Sequence, residues 1–505
     1  MNNDSRLQIK TAEGELRGSL EEDILVFRGI PYAAPPVGAL RWRPPAAVQP
    51  WQQPRDATQW GNSSWQSREH CLIAGGGDPG EFSEDCLYLN VWTPDVKPSQ
   101  PLPVMVWIHG GGFTIGAGGL ALYSGAPLAS RGVVLVTLNY RLGHLGFFAH
   151  PALDAEYSAG EVVNNFALLD QIAALQWVQR NIAAFGGDRT NVTIMGESSG
   201  ARSVLSLFCS PLAEGLFHKG IVQSAYSLPD RPRNKALEMG EAVAHHFSLT
   251  DATAEQLRAL PAEDFWPLEN PLALGPVPIA GDMVLPVSAL QIFNRARQHK
   301  YPLMIGSNSD EASVLAFFGV DAAGSIDEIR RKHKLAYRLM KWLYTAADDE
   351  SLGRQVARDI AFTTMGYVAA LAQHRAGVPG WRYYFDYVSE NARDLYLNGT
   401  WHGNEVPYVL DTLSHMDTAS DRPFTDNDRR FAWQVSEYWL NFARDITPHS
   451  RHIAGAVPWP AWHPADDSTL RLGDYHRPEI RIEKRFMKRR MQIFRLMMRT
   501  LVRLD

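Results

Sequence analysis

NVTIMGESSGAR, Asn191 to Arg202, decides how this chain is read. Val192 to Met195 is a short run of apolar and β-branched residues and reads as a buried strand. Gly196-Glu197-Ser198-Ser199-Gly200 then fits G-x-S-x-G, and Ala201 to Cys209 reads as a helix. A strand that enters a helix through a serine between glycines is a nucleophile elbow. The turn lifts the serine oxygen clear of its own backbone, and the glycines stand where side chains would collide. The N-terminus of the following helix favours negative charge developing there. The bland alternative is a glycine-rich turn, and the pentapeptide alone is short enough to recur by chance. The strand before it and the helix after it favour the elbow.

Outward from the elbow, Val104–Ile108 (VMVWI), Val133–Leu138 (VVLVTL), Lys219–Ser224 (KGIVQS) and Pro302–Ser307 (PLMIGS) read as further buried parallel strands. Between Asn164 and Phe185, Leu169, Ile172, Leu175, Val178 and Ile182 recur at helical spacing. Strands alternating with helices predict an α/β fold with a parallel sheet. Residues 1–50 turn often and predict short strands with proline-held loops. Residues 325–395 carry charged and aromatic helical patterns and no such strand, so a helical cap over the sheet is expected. No repeat or low-complexity linker interrupts the chain, and a single domain over 1–505 is expected.

The 505 residues are 45% hydrophobic and 21% charged, the balance of an ordinary globular protein. A net charge of −6 argues against a general nucleic-acid binder. No run of about eighteen apolar residues predicts a spanning helix. The polar start, MNNDSRLQIK, carries no signal-like apolar stretch, so a cytoplasmic protein is expected. Residues 477–505 hold ten Lys or Arg against three Asp or Glu. A basic amphipathic helix is expected at about 479–504. It suits either a membrane surface or packing through its Met, Ile and Phe face, and packing is the favoured reading. Three cysteines make no disulfide framework, although Cys71 and Cys86 could close a short loop. The sequons at Asn62, Asn191 and Asn398 read as coincidence without a secretory route.

A nucleophilic serine needs donors for an oxyanion. Trp107–Phe113 (WIHGGGF) follows a strand, and its glycines can aim N–H groups at a carbonyl oxygen; Gly111, Gly112 and Ser199 are the expected donors. Gly116–Ala121 meets a relaxed dinucleotide pattern but neither follows a strand directly nor opens a clear helix, and it is set aside. In the chain order of α/β-hydrolases an acid and then a histidine follow the serine. Asp310 and Glu311 both lie just past the Pro302–Ser307 strand. Eight histidines come after them, of which His402, followed by Gly403 in a loop, is mildly favoured.

Phe185–Gly200 (FGGDRTNVTIMGESSG), Glu84–Pro94 (EDCLYLNVWTP), FRGIPYAAPPVGALRW, NYRLGHLGFF and HGNEVPYVL together resemble the type-B carboxylesterase family, which includes bacterial p-nitrobenzyl esterases and the cholinesterases. The resemblance covers nearly the whole chain. It implies an α/β-hydrolase fold, with a large mixed but mostly parallel central sheet flanked by helices and helical cap insertions. It implies a bacterial serine carboxylesterase acting on a small-molecule ester, with no metal and no other cofactor. Monomer and homodimer both remain open. It makes Ser198 the nucleophile, Glu311 rather than Asp310 the acid, and His402 the base. Ala312 stands where the family's pattern has glycine. Glu197 is expected beside the active-site water, and Ser224 near the triad. Buried ion pairs Arg28–Glu84 and Arg141–Asp170 are expected to be structural. The interval between Cys71 and Cys86 holds Phe82 but no Trp or Tyr, which argues against a choline cage. The segment Asn270–Asp282 has Pro, Leu and Ala where cholinesterases narrow the acyl pocket with aromatics, so a wide aliphatic pocket is expected. Cys209 is expected to be a buried free thiol.

Overall fold

A computed structural model describes residues 5–501 apart from 74–75, 159, 267, 269–275, 319–320 and 417–420. Of the segment Asn270–Asp282 read as an acyl pocket, residues 270–275 lie outside the described ones. The chain forms two compact units, residues 1–221 with 229–292, and residues 222–228 with 293–505.

The first unit is built on the apolar runs that the sequence announces. Gly187–Glu197, Leu102–Ile108 and Val134–Leu138 pair in parallel, with Val106 between Ile194 and Val136. Tyr88–Thr93, Ile24–Pro31 and Ser19–Glu21 continue outward as antiparallel strands. Val104 to Ile108 and Val134 to Leu138 are buried throughout, which is why these strands are apolar without alternation. Each such Val, Leu or Ile contributes roughly 1.5–3 kcal/mol by leaving water. The helix Phe166–Asn181 is buried on most of its faces, and its buried polar residues Asp170, Gln171 and Asn181 each have a hydrogen-bond partner. Asp170 takes Arg141 bidentately at 2.7 and 2.8 Å, and Gln171 donates to Ser203 Oγ at 2.9 Å.

The expected Arg28–Glu84 pair is not formed. Arg28 pairs with Glu21 at 2.6 Å, because Ser19–Glu21 and Ile24–Pro31 are antiparallel neighbours, and it stacks over Trp60. Glu84 instead receives Arg41 bidentately at 2.6 Å, and Arg41 is buried. Cys71 and Cys86 are both buried and unbonded, as is Cys209, so the short loop is not closed covalently.

The second unit carries Leu303–Asn308, Gly380–Tyr387 and Thr469–Tyr475 in parallel, followed by antiparallel Arg477–Glu483. Two expectations are corrected here. Gly380–Tyr387 is a buried strand inside the stretch expected to be a purely helical cap. The basic tail begins as the strand Arg477–Glu483, and its helix spans Lys488–Leu501. Helices Ala322–Lys332, Lys334–Leu343, Asp349–Arg358 and Thr364–Ala376 fill the remainder of the expected cap. Met491 and Phe494 of the terminal helix pack with Tyr344, Leu352, Val356 and Trp462. The favoured packed reading of that helix is therefore the observed one. Among the described residues no helix is long and apolar enough to cross a membrane.

Candidate active site

In the first unit, the strand Gly187–Glu197 runs into Ser198, and the helix Ser199–Leu207 starts at the next residue. Ser198 has φ 54° and ψ −119°, a conformation unusual for a residue with a side chain. Such strain costs on the order of 1–3 kcal/mol and persists only where the surroundings impose it. They do so by close packing. A Cβ on Gly200 would stand 2.0 Å from the Ile108 carbonyl oxygen, and one on Gly196 would stand 2.6 Å from the same atom. From Val192 to Ser210, Ser198 alone is not fully buried. The tightest residue of the turn is thus also the one that keeps access to a reactant.

The glycine loop lies against this turn. A Cβ on Gly110 would fall 2.7 Å from Glu197 Oε2 and 3.2 Å from Ser198 Cβ. Gly111 has φ +104°, and a side chain there would strike the Ile115 carbonyl. The Phe113 N–H donates to Ser199 Oγ at 3.1 Å, tying the loop to the first turn of the elbow helix. Gln66 clamps the far end of the loop, accepting from Gly116 N–H at 2.7 Å and donating to Gly116 O at 2.9 Å. Gly111, Gly112 and Ser199 are therefore on one braced piece of backbone, and the Ser199 amide, in the first helical turn, has no acceptor within the helix. His109 opens the loop but is buried, stacked on Tyr140, with Nδ1 2.9 Å from the Gly110 carbonyl. Burial, partly opposed by that carbonyl, lowers its pKa to about 4. It is a neutral packing residue.

In the second unit the acid and the histidine meet. Glu311 follows the buried strand Leu303–Asn308 and is itself fully buried. Its Oε1 accepts the Asn308 N–H at 2.6 Å, and its Oε2 lies 2.5 Å from His402 Nδ1. The His402 N–H donates to Ser313 Oγ at 2.9 Å, and the imidazole rests 5.0 Å from the Phe362 ring centroid. Asp310 turns away: it takes Arg354 at 2.5 Å, and burial raises its pKa to about 6 against the pull of that arginine. Of the two adjacent carboxyls, only Glu311 holds the histidine.

Ser224, expected near the triad, is buried with φ 54°, and its N–H donates to Gly306 O at 2.9 Å on the strand leading to Glu311. Its hydroxyl has no hydrogen-bond partner among the described residues. The sequence reading missed Glu405. This second buried carboxylate accepts Asn308 Nδ2 at 2.5 Å and Gln223 Nε2 at 3.2 Å, and Gln223 is in turn held by Trp439 Nε1 at 3.1 Å. Burial and the Glu311 charge raise the Glu405 pKa. Its signal was its place three residues after His402, in HGNE.

The carboxylesterase family model matches residues 5–494. Para-nitrobenzyl esterase of Bacillus subtilis (strain 168) is 34% identical over 479 residues, covering 92% of this chain and 94% of that protein. Fumonisin B1 esterase of Sphingopyxis macrogoltabida is 36% identical over 473 residues, covering 87% and 82%. Among solved structures, a PNB esterase superposes with a TM-score of 0.80 at 33% identity, covering 96% of this chain and 99% of that one. A Geobacillus stearothermophilus carboxylesterase gives 0.80 at 29%, covering 97% and 100%. The fold is that of the α/β-hydrolases, a large mixed and mostly parallel sheet flanked by helices. The chain belongs to the carboxylesterase family and is a serine carboxylesterase, a hydrolase of carboxylic esters.

Proposed function

We propose that Ser198 is the nucleophile, His402 the general base and Glu311 the acid that orients and charge-stabilises it. The N–H groups of Gly111, Gly112 and Ser199 serve as the oxyanion hole. Ser198 Oγ attacks the ester carbonyl carbon while His402 Nε2 takes its proton. The C=O π pair moves onto oxygen, and the backbone donors bind that charge. Collapse re-forms the carbonyl and expels the alkoxide, which His402 protonates. Water, deprotonated by the same histidine, then attacks the acyl-enzyme and releases the carboxylic acid and free Ser198. The observation that carries this reading is the 2.5 Å contact of the buried Glu311 with His402 Nδ1. A carboxylate there fixes the tautomer that leaves Nε2 as acceptor and stabilises the imidazolium formed in the transition state. Glu197, buried beside the glycine loop, is proposed to hold the attacking water.

The substrate is proposed to be a small carboxylic ester without a quaternary ammonium, since only Phe82 lies in the loop that would supply a choline cage. The two relatives are named for different esters, para-nitrobenzyl and fumonisin B1, so the class is proposed rather than one compound. Three unbonded cysteines suit a reducing compartment, and the bacterial cytoplasm is the proposed setting. The test is pre-steady-state hydrolysis of p-nitrophenyl esters from acetate to decanoate by wild type and Ser198→Ala. A nitrophenol burst in wild type and loss of turnover in the folded variant are expected. Turnover retained by Ser198→Ala would sink the assignment.

A further inference from the structure

The helix Lys334–Leu343, KLAYRLMKWL, lies wholly within the second unit and is apolar on two sides. Tyr337, Met340 and Leu343 turn inward and pack on the cluster that holds Tyr344, Leu352, Met491 and Phe494. Leu335, Leu339 and Trp342 do the opposite: they are 80%, 45% and 68% exposed. Their spacing is i, i+4, i+7, so they form one row along the outer side of the helix. Apolar side chains exposed singly are ordinary, whereas a row of them with a tryptophan at its end marks an interaction surface.

A row of cations runs beside it. Lys334, Arg338 and Lys341 repeat the same spacing one position earlier in the chain, and all three are exposed. At about 3.6 residues per turn the two rows lie on adjacent flanks of the helix. The helix contains no Asp or Glu. The carboxylates on either side of it in sequence are committed elsewhere. Asp327 takes Arg330 and Arg331, Glu328 takes Lys332 at 2.6 Å, and Asp349 takes Arg330 at 3.0 Å and the Tyr337 hydroxyl at 2.7 Å. Asp348 is held below the usual carboxylate range first by the Ser351 N–H, at 2.8 Å, and only last by Lys341, with which it makes no ion pair. Among the described residues none of Lys334, Arg338 and Lys341 has an ion-pair partner. The terminal helix Lys488–Leu501, packed on the same cluster, brings five more Lys or Arg and no acid of its own.

An apolar row of leucine and tryptophan flanked by lysine and arginine, on a helix far too short to span a bilayer, suits a helix lying in the plane of a membrane surface. We propose that this ridge docks the protein on an anionic phospholipid surface, with Leu335, Leu339 and Trp342 entering the headgroup–acyl boundary and Lys334, Arg338 and Lys341 pairing with lipid phosphates. Such a surface supplies both things that the ridge lacks, an apolar layer and negative charge. A second copy of the chain is the poorer fit. A two-fold contact on this ridge would bring both cation rows together with no carboxylate from either helix between them. The net charge of −6 opposes approach by the acidic remainder of the chain, so the basic ridge also sets the docking orientation.

Cosedimentation of the full chain with vesicles of equal parts phosphatidylglycerol and phosphatidylcholine tests the ridge. At low salt, partitioning should be at least about tenfold stronger than onto phosphatidylcholine alone, and it should fall as salt rises. The triple variant Lys334→Gln, Arg338→Gln, Lys341→Gln should weaken it at least about tenfold, and Leu339→Ser or Trp342→Ser about fivefold. All five positions are exposed, so thermal melts should match wild type. Trp342→Phe should still bind, yet lose part of the tryptophan quenching that brominated phospholipid causes in wild type. Absence of wild-type binding to anionic vesicles, equal binding to neutral ones, or binding unchanged in the triple variant and in Trp342→Ser would each overturn the proposal. A dimer that Trp342→Ser dissociates, in a protein that ignores vesicles, would put a second copy on the ridge and overturn it too. Poly-glutamate bound while vesicles are ignored would put an acidic protein there, with the same consequence. None of these readouts uses ester hydrolysis, so they stand or fall separately from the Ser198 reading.

Discussion

At the scale of single residues, two adjacent carboxyls meet different fates, and that difference is testable. Glu311 spends one oxygen on a backbone N–H and the other on His402, whereas Asp310 is committed to Arg354. Glu311→Gln should lower kcat by about 10³–10⁴, since an amide cannot stabilise the imidazolium and favours the wrong tautomer. Asp310→Asn should cost less than about tenfold. Kinetics on p-nitrophenyl butyrate decide it, and the reverse order of effects would exchange the two roles. The sequence had left this choice to family resemblance, because adjacent carboxyls after a strand look alike until their partners are placed. Ion pairs fared similarly. Arg141–Asp170 formed as expected, but Arg28 and Glu84 went to other partners, since charge in a sequence carries no direction. His109 makes a second residue-scale prediction. Burial lowers its pKa from 6.5 to about 4, so on acidification the unfolded chain takes up a proton that the folded chain refuses. Stability from this residue is complete above about pH 6.5 and is lost as pH falls toward 4. Asp310, with its pKa raised to about 6, contributes in the opposite sense, losing stability as pH rises through 6. Comparing wild type with His109→Asn isolates the histidine. Between pH 7 and 5, urea unfolding of wild type should lose about 2 kcal/mol more than that of the variant. Parallel losses in both proteins would refute a neutral buried His109.

At the scale of elements, the elbow is held by contact between strand and helix backbones. Gly200 sits where the helix Ser199–Leu207 crosses Leu102–Ile108, and a Cβ there would overlap the Ile108 carbonyl at 2.0 Å. Backbone must then move, so Gly200→Ala should destabilise by about 1–3 kcal/mol and displace Ser198 enough to remove most activity. Gly366 is the internal control. It lies within the helix Thr364–Ala376, where an added Cβ meets nothing nearer than 3.9 Å, at Arg382. Gly366→Ala should gain about 0.5–1 kcal/mol from reduced unfolded-state freedom and better helix propensity. Thermal melts of the two variants should move in opposite directions, and a stabilised Gly200→Ala would contradict the elbow packing. The elbow was legible because its strand is a β-branched run and its glycines are forced. Gly380–Tyr387 was not legible. Its residues, GWRYYFDY, carry an arginine and an aspartate, and neither the apolar run nor the alternation that marks a strand is present. The structure explains why such a strand can be central: Arg382 is buried and paired with Asp467 at 2.9 Å, a partner 85 residues away that no local pattern announces.

At the scale of the whole molecule, a chain of net charge −6 ends in a basic segment, yet that segment is part of the fold. Arg490 reaches Asp359 at 3.2 Å, and Met491 and Phe494 enter the core of the second unit. Arg477–Glu483 adds a sheet strand before the helix. Composition gave the sign of the tail, while the carboxylates it meets were set by tertiary packing. The cysteines make the last prediction, because they report on the whole chain at once. Cys71, Cys86 and Cys209 are each buried and unbonded. Burial pushes the Cys71 thiol up to about 11 and raises the other two as well, so none is a reactive thiolate near neutral pH. A bond between Cys71 and Cys86, closing a loop of roughly fifteen residues, would contribute about 3 kcal/mol. Without it, reductant should leave the melting temperature unchanged. Titration with a thiol-specific dye should find almost no reactive thiol in the native enzyme and three after denaturation without reductant. A count of one after denaturation, together with a melting temperature that falls in reductant, would show that Cys71 and Cys86 are cross-linked.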